Sequence, residues 1–286
     1  MNKIKRTIDI INSNNTLKDI TIIHLADIHF NINTKEDTLN KLKEEIHKNN
    51  PDYIIITGDL IDTPSITKNN KINILLNFLS DIKNISKVII SLGNHDIITD
   101  KDYLFFKKIN DIKNIYVLDN EKYQDEFIYI AGFTLPSNYY YNITRKESIE
   151  VLIEYLDNHK KLISNLPKEL PKVALIHSPL NITDNYVLNK LQNYDLILSG
   201  HTHNGMVLDC FEKLFVGNSG LIAPNKNLFP KIVKGKIEKY LNNHLITIII
   251  NGGITKLSKS SAKTLSKLNF LYNMSINKII IKKRGN

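Results

Sequence analysis

Carboxylate, imidazole and amide side chains occur in five short groups, each of which directly follows a predicted strand. The groups are Asp27 with His29, Gly58-Asp59, the run Gly93 to Asp96, the single His177, and the run Gly200 to His203. In open α/β sheets, ligands bind in the crevice beyond the carboxyl ends of the strands. We therefore expect these five groups to converge on one site.

The residue types in these groups suit divalent metal ions. Carboxylates, imidazoles and a side-chain amide make a mixed nitrogen and oxygen environment of the kind that binds Mn, Fe, Zn or Ni, and the groups contain no thiolate. Two such ions about 3.5 to 4 Å apart can lower the pKa of a shared water, hold a phosphoryl group and stabilise both the entering and the leaving oxygen. The pattern indicates hydrolysis of a phosphate ester.

Each group taken alone also has a purely structural interpretation. Asp27 could cap a helix, and Gly58-Asp59 is a common turn sequence. His177 could be a buried histidine with its hydrogen bonds satisfied. His201 and His203 form the strongest pair, because alternate positions of an extended segment share a face. The five groups together, each behind a strand, favour the metal site over these separate interpretations.

Short apolar runs rich in Ile, Val and Leu alternate with longer amphipathic stretches, which indicates an α/β layered fold. Strands are predicted at 21–25, 53–57, 88–92, 115–117, 127–131, 173–177, 196–199, 214–217, 245–251 and 279–281. Apolar residues at helical spacing predict helices over 35–49 and 71–85. This order is typical of β-α-β units with a parallel sheet in the N-terminal half, and Gly-containing turns predict a second, more antiparallel sheet.

Four further features are given structural interpretations. His24 lies inside a predicted strand, and Asp62 is interpreted as a turn or capping residue. The tyrosines at 139–141 could pack against the following amphipathic helix, line a pocket or stack on a base. The Ser- and Lys-rich segment 256–267 is predicted to be a solvated helix or loop.

The order D-x-H, G-D, G-N-H-D, a lone His and G-H-x-H resembles the calcineurin-like metallophosphoesterase family, in its bacterial single-domain branch. The resemblance runs from Asp27 to His203 and, with the surrounding strands, over most of the chain. It implies a four-layer α/β/β/α sandwich, two mixed β-sheets flanked by helices. It also implies one domain over 1–286, with a possible insertion at 137–168 and a C-terminal helix and strand extension at 255–286.

The resemblance further implies a role for each motif residue. The implied ligands of two divalent ions, of unidentified metal, are Asp27, His29 and His203 for one ion, Asn94, His177 and His201 for the other, and Asp59 as the bridge. A bridging hydroxide would be the nucleophile. His95 would protonate the leaving oxygen or stabilise charge in the transition state, while Asp96 orients the His95 ring.

The chain is basic, with 38 Lys and Arg against 29 Asp and Glu and a formal net charge of +9. This charge suits an anionic partner such as a phosphate ester, a nucleic acid or an acidic lipid. The lysines are spread along the whole chain, however, so a general compositional bias explains the charge as well. We expect a phosphate-ester substrate and leave nucleic acid, peripheral membrane contact and the oligomeric state open.

The sequence also bears on the compartment. The single cysteine, Cys210, cannot form an intramolecular disulfide, which favours a reducing environment. Asp9 and several asparagines interrupt the region after the basic start, so it does not resemble a signal peptide. No segment reaches the roughly 20 apolar residues needed to span a bilayer. We expect a cytoplasmic protein and leave association with a membrane surface open.

Three functions are compatible with these observations. The favoured one is a binuclear-metal-dependent hydrolase of phosphate mono- or diesters. The second is a nuclease or nucleic-acid-binding phosphodiesterase, for which the charge would supply affinity through counterion release. Against it, no basic cluster is interleaved with aromatic residues of the kind that stack on bases. The third is a noncatalytic metal-binding scaffold, which the complete ligand set and His95 argue against.

Overall fold

The computed structural model describes residues 3–63, 66, 69–140, 144–223, 228–258 and 265–283. The strands in these ranges are β1 Ile4–Ser13, β2 Ile20–Leu25, β3 Tyr53–Thr57, β4 Lys87–Ser91, β5 Ile115–Leu118, β6 Lys122–Gln124, β7 Tyr129–Phe133, β8 Lys172–Ile176, β9 Leu196–Ser199, β10 Gly235–Leu241, β11 His244–Ile250 and β12 Met274–Lys283. The α-helices are α1 Glu36–Asn49, α2 Ile72–Ile82, α3 Asn94–Thr99, α4 Leu104–Asn110, α5 Arg145–Asn158, α6 Lys160–Ile163 and α7 Asn185–Leu191. Short 3-10 helices lie at Ser137–Tyr140, His203–Met206, Asp209–Leu214 and Leu265–Leu271.

The strands form two sheets of six. The order is β1-β12-β2-β3-β4-β5 in the first sheet and β10-β11-β9-β8-β7-β6 in the second. In the first sheet only β12 and β2 pair antiparallel, whereas the second has antiparallel pairs at both edges and a parallel centre. The predicted pair of mixed sheets is confirmed.

Buried side chains divide among three layers of packing. Ile55 of the first sheet and Leu175 of the second belong to the core between the two sheets. Leu42 and Leu79 pack the helices α1 and α2 onto the outer face of the first sheet. Leu152 does the same for α5 on the second sheet. This arrangement confirms the predicted four-layer α/β/β/α sandwich.

The central strands are apolar on both faces because both faces are covered. All five residues of β3 are buried. Successive side chains of a strand point to opposite faces, so Ile54 and Ile56 contact the helical side while Ile55 contacts the other sheet. Such strands are continuous apolar runs, which is the signal that predicted them from the sequence.

Some strand predictions were wrong. The apolar run at 214–217 forms no strand; its first residue ends a 3-10 helix, and Leu214 and Val216 are 75% and 89% exposed. The edge strand β1 was not predicted, because most of its side chains are solvated and it lacks a continuous apolar run. Both errors arise because a strand needs a paired neighbour, which local composition does not report.

The topology brings the predicted motifs to one place. The neighbouring strands β2, β3 and β4 run parallel, as do β8 and β9 in the other sheet. Their carboxyl ends carry the five groups of polar residues. No helix in the described part of the chain is long and apolar enough to cross a membrane. The single-domain assignment and the boundaries of the insertion and extension stay predictions.

Candidate metal centre

The loops after β2 and β3 hold each other in place. The backbone amide of Asp27 donates to the Gly58 carbonyl at 3.2 Å, and that of His29 donates to the Asp59 carbonyl at 2.8 Å. Asp27, His29 and Asp59 all have φ near +50°, a region that residues other than glycine adopt rarely. These hydrogen bonds maintain the unusual turns.

Two glycines in the motifs allow the strand ends to approach closely. A Cβ at Gly58 would lie 2.5 Å from Nδ1 of His177, and Gly58 itself has a φ of +76°. A Cβ at Gly93 would lie 2.2 Å from Oδ1 of Asp59. Larger residues at these positions would push the polar side chains apart, so the glycines are part of the site.

Six predicted ligands lie in two groups of three. Atoms of the ligand type in each group lie within 4.8 Å of one another; the groups are Asp27, His29 and His203, and Asp59, His177 and His201. Asp59 also lies in a third group with His29 and His95. The structure therefore brings the predicted residues together, while their individual ligand roles stay predictions.

Several buried polar atoms of this cluster have no hydrogen-bond partner among the described residues. They are Nε2 of His29, Oδ2 of Asp59, Oδ1 of Asn94, Nε2 of His177 and Nδ1 of His201. An unsatisfied buried polar atom costs about 1 to 3 kcal/mol, and native proteins contain few of them. Five of them together, all nitrogen or oxygen, fit a site for divalent cations.

Backbone carbonyls orient two of the imidazoles. Nδ1–H of His177 donates to the Thr57 carbonyl, and Nδ1–H of His203 donates to the Thr255 carbonyl, each at 2.8 Å. Because a carbonyl only accepts, each ring carries a proton on Nδ1, and in the neutral form of the ring Nε2 keeps its lone pair for a metal. This is the usual second hydrogen bond of a histidine that binds a metal.

The His95 imidazole lies against the Asp62 carboxylate. Nδ1 of His95 lies 3.4 Å from Oδ1 of Asp62. The two oxygens of Asp96 instead accept from the backbone amides of Ile61 at 3.0 Å and Gly93 at 2.9 Å. The Asp96 carboxylate closes the first turn of α3 in a capping arrangement, and its role in orienting the His95 ring stays a prediction.

The charges of the cluster shift several pKa values. Burial alone would lower the pKa of His177, but the neighbouring Asp59 carboxylate raises it to about 9. Burial likewise opposes the pKa rise of His95 to about 9, which Asp59 and Asp62 produce. Burial and the adjacent His177 lower the pKa of His201 well below 6.5. Binding of a cation by His177 would thus displace a proton.

The pKa values of two carboxyl groups in the cluster are shifted in opposite directions. Burial would raise the pKa of Asp59, but His177 and His95 lower it well below 3.8, so that carboxyl is ionised. Burial and the Asp59 charge raise the pKa of Asp96 to about 7. The Asp59 carboxyl is therefore ionised within the centre, whereas the Asp96 carboxyl is more readily protonated.

The tyrosine cluster divides between packing and the site. Tyr139 is buried, and its hydroxyl donates to the Leu180 carbonyl. The Tyr140 ring centroid lies 5.3 Å from that of His201, and its buried hydroxyl has no partner among the described residues. Tyr141 lies outside the described residues. Tyr140 is thus a wall of the cluster that the sequence could only suggest.

The loop after β11 packs against the loop that carries Asp27. The Thr255 amide donates to the Asp27 carbonyl at 2.9 Å. Lys256 is 1% exposed, and Nζ donates to the Gly253 carbonyl at 2.5 Å and to Ser275 Oγ at 2.9 Å. The predicted solvated segment 256–267 therefore begins with a buried residue; its positions 259–264 lie outside the described residues.

His24 has the structural role that was predicted for it. Its Nε2 lies 2.8 Å from the Thr57 hydroxyl, and the side chain is fully buried. Burial lowers its pKa to about 3, so the ring is neutral.

Comparison with known proteins identifies the family. The family model described as calcineurin-like phosphoesterase matches residues 20–205, which is more than half of the chain and includes all five motifs. The chain belongs to the calcineurin-like phosphoesterase family. The resemblance drawn from the motifs alone is confirmed, and the family is a metal-dependent one.

The relatives within this family carry different names. An uncharacterized metallophosphoesterase of Campylobacter jejuni is 29% identical over 201 residues, which cover 68% of this chain and 46% of that protein. The UDP-2,3-diacylglucosamine pyrophosphatase LpxG of Chlamydia muridarum is 24% identical, with 67% and 65% covered. A protein of the SbcCD nuclease of Staphylococcus epidermidis is 28% identical, with 64% and 56% covered. The chain thus spans about half the length of the Campylobacter relative.

Proposed function

We propose that this protein hydrolyses phosphate mono- or diesters with two divalent metal ions bound at the centre. The observation that carries the proposal is the group of five buried nitrogen and oxygen atoms that have no hydrogen-bond partner among the described residues. They belong to residues from both sheets and converge at the carboxyl ends of parallel strands, where α/β proteins bind ligands.

The two groups of side chains supply one set of ligands each. Asp27, His29 and His203 would hold one ion, and His177 and His201 with Asn94 would hold the other. Oδ2 of Asp59 lies 3.4 Å from His29 Nε2 and 3.2 Å from His177 Nε2, between the two groups. This position supports Asp59 as the shared ligand. Ions bound there would lower the pKa of a coordinated water and stabilise charge on phosphoryl oxygens.

His95 would act as the general acid. Its side chain is 17% exposed, whereas those of His29, Asp59 and His177 are 0% exposed. With a pKa of about 9, His95 is protonated at neutral pH and would donate that proton to the leaving oxygen. Asp62 would hold the ring in this orientation, because its carboxylate lies against Nδ1.

The ions would be Mn, Fe, Zn or Ni, and the protein would act in the cytoplasm. The relationship to LpxG supports a phosphoanhydride or lipid phosphoester as one substrate class, and the relationship to the SbcCD nuclease supports a nucleic-acid phosphodiester as another. The favoured and alternative substrates use the same proposed chemistry at phosphorus.

The test compares two model esters after removal and replacement of metal. Bis-p-nitrophenyl phosphate and p-nitrophenyl phosphate would be supplied to chelated protein and to protein reloaded singly with Mn, Fe, Zn or Ni. We expect turnover only with metal, and the ratio of the two rates reports diester against monoester preference. Turnover that persists after complete chelation would contradict the proposal, as would its absence with every metal on both esters and on a lipid pyrophosphate.

A further inference from the structure

Exposed apolar side chains are concentrated in the segment between β9 and β10, in its described parts 208–223 and 228–234. Seven large apolar residues there are between 37% and 89% exposed: Phe211, Leu214, Val216, Leu221, Leu228, Phe229 and Ile232. Single exposed apolar side chains are ordinary, but a concentration of them marks a binding surface. We call these seven residues the apolar patch.

A second set of exposed apolar side chains lies at the same end of the molecule. Leu268, Phe270 and Leu271 precede β12 and are 40%, 60% and 45% exposed. Lys5 of β1 forms an ion pair with Glu212 of the patch segment. Lys5 is also in register with Ser275, near the start of β12. The ion pair and the strand register therefore bring the two sets to one edge of the first sheet.

The start of β12 also lies beside the metal centre. β12 runs antiparallel to β2, so its start lies beside the end of β2 that leads to Asp27. The Ser275 amide donates to the Gly253 carbonyl at 3.0 Å. A Cβ at Gly253 would lie 3.0 Å from the Asp27 Cβ, so this loop packs directly on a proposed ligand.

The patch segment is hydrogen-bonded to the backbone just after a proposed ligand. The amides of Leu221 and Ile222 donate to the Gly205 carbonyl at 2.9 and 3.0 Å, two residues beyond His203. Within the segment, the Phe229 amide donates to the Leu221 carbonyl at 2.8 Å. Because these backbone groups are paired internally, the segment is not an unpaired strand edge. The turns of this segment leave its apolar side chains exposed to solvent near the metal centre.

The charge around the patch favours an anionic partner. Glu212 is paired with Lys5 and with Lys234, whose Nζ lies 2.9 Å away. Lys213 and Lys231 are exposed and have no carboxylate within 4.0 Å in the part of the chain that the structure describes. Exposed Leu, Phe and Val side chains mixed with free lysines combine the two attractions of an interfacial membrane segment, apolar burial and attraction to anionic headgroups.

We propose that the apolar patch docks onto an anionic lipid bilayer and holds the metal centre at the membrane surface. In its described parts the patch segment consists of turns, the 3-10 helix Asp209–Leu214 and a bridge between Ile222 and Leu228. Its apolar side chains therefore lie on loops that can enter a headgroup layer. Docking would place phosphate groups of the bilayer beside the centre. The docking surface does not depend on catalysis, and its test measures binding alone.

The test uses the full chain with vesicles of two compositions. We expect the protein to float with vesicles of phosphatidylcholine mixed with phosphatidylglycerol, to bind less as salt rises, and not to float with phosphatidylcholine alone. A variant with Leu214→Ser, Val216→Ser and Phe229→Ser should lose this binding. A variant with Lys213→Glu and Lys231→Glu should bind about tenfold or more weakly, since each lysine near an anionic surface contributes substantially.

Matched controls separate docking from loss of fold. Leu17 and Tyr240 are 66% and 78% exposed outside the patch, so Leu17→Ser and Tyr240→Ser should bind vesicles as the unmodified chain does. Every variant is checked for an unchanged circular dichroism spectrum. Cys210 is exposed, lies within the patch segment and is the only cysteine in the chain. A polarity-sensitive fluorophore on Cys210 should therefore shift its emission to the blue with anionic vesicles.

Three results would overturn the proposal. The first is no flotation with anionic vesicles. The second is flotation that the patch and lysine variants leave unchanged, which would assign it to the diffuse charge of the chain. The third is self-association that the patch substitutions abolish without any vesicle binding, measured by light scattering after size exclusion, which would assign the surface to a second copy of the chain.

Discussion

The imidazole of His95 and the carboxylate of Asp62 face each other, with 3.4 Å between Nδ1 of His95 and Oδ1 of Asp62. Asp62 is fully buried, and the same oxygen lies 3.6 Å from Nδ1 of His29. One carboxylate thus contacts both the proposed general acid and a proposed metal ligand. The relationship links the protonation of His95 to the geometry of the metal centre.

Replacement of His95 should separate catalysis from metal binding. His95→Ala is expected to reduce turnover about a hundredfold or more, because a general acid contributes that much to the rate. The proposed ligands are unchanged, so metal content measured by mass spectrometry should stay near that of the unmodified protein. Full turnover in this variant would remove His95 from the mechanism.

Asp62 and Asp96 should have different effects when their charges are removed. Asp62→Asn should reduce turnover, and its pH profile should lose activity at a lower pH on the basic side, because Asp62 raises the pKa of His95. Asp96→Asn should mainly lower the free energy of unfolding, by about 1 to 3 kcal/mol, because a backbone amide loses its acceptor. If the basic side of the pH profile is unchanged in Asp62→Asn, or shifts only in Asp96→Asn, then Asp96 and not Asp62 orients the His95 ring.

The contact between Asp62 and His95 could not be predicted from the sequence. Asp96 is adjacent to His95 in the chain, and Asp62 closely follows the Gly58-Asp59 motif. The conformation of the first turn of α3 directs the Asp96 carboxylate to backbone amides, and this conformation cannot be read from the sequence. The main strands were predictable because both faces of each are buried and the apolar runs are continuous. β1 and the run at 214–217 were not, because strand pairing and exposure there depend on distant segments.

The convergence of the motifs was also predictable, since parallel strands deliver their carboxyl ends to one edge. The role of the loop after β11 was not. Thr255 and Lys256 lie in a segment of ordinary Ser- and Lys-rich composition, and no residue type there indicates contact with Asp27 or His203. The apolar patch was missed for a similar reason, because its apolar residues resemble those of a buried strand.

Asp59 is expected to control metal binding itself. Asp59→Ala removes the carboxylate that lies between the two groups of ligands, so metal content and turnover should fall together. Asp81→Asn is the matched control, because Asp81 is half exposed and pairs with Lys43 on the surface. Retention of both metals and full rate in Asp59→Ala would show that another group bridges the ions.

Gly58 should not tolerate a side chain. Gly58→Ala places a Cβ 2.5 Å from Nδ1 of His177 at a φ of +76°. Gly217 has a similar φ of +60° but no atom within 4 Å of its Cβ position. Gly217→Ala therefore carries only the backbone strain, about 1 kcal/mol, whereas Gly58→Ala should also lose metal affinity. Equal metal affinity in the two variants, by titration calorimetry, would argue against close packing at Gly58.

Asp125 should contribute to stability in a pH-dependent way. Its carboxylate accepts from the hydroxyls of Tyr53 and Tyr123 and from Lys87 Nζ, each at 2.7 Å. Burial would raise the pKa of Asp125, but Lys87 and the tyrosines lower it below the ordinary value of 3.8. The ionised form is therefore the stabilising one. Its contribution is complete well above pH 3.8 and is lost as the pH falls through the lowered pKa.

Asp125→Asn should accordingly lower the free energy of unfolding by about 1 to 2 kcal/mol at pH 7. The difference from the unmodified protein should shrink as the pH is lowered below about 4, because the unfolded chain then binds a proton at this carboxyl while the native carboxylate is still ionised. Urea denaturation at a series of pH values measures both. If the difference in the free energy of unfolding instead grows towards acid pH, the protonated form of Asp125 is the stabilising one.

The central claim is that the buried nitrogen and oxygen atoms of the cluster bind two divalent ions that catalysis requires. The most direct test titrates chelated protein with Mn²⁺ while bound metal and phosphodiester turnover are followed in the same samples. We predict two ions per chain in the unmodified protein, with turnover that reaches its maximum as the second ion binds. Full turnover without bound metal, or fewer than two ions bound per chain at saturation, would contradict this claim.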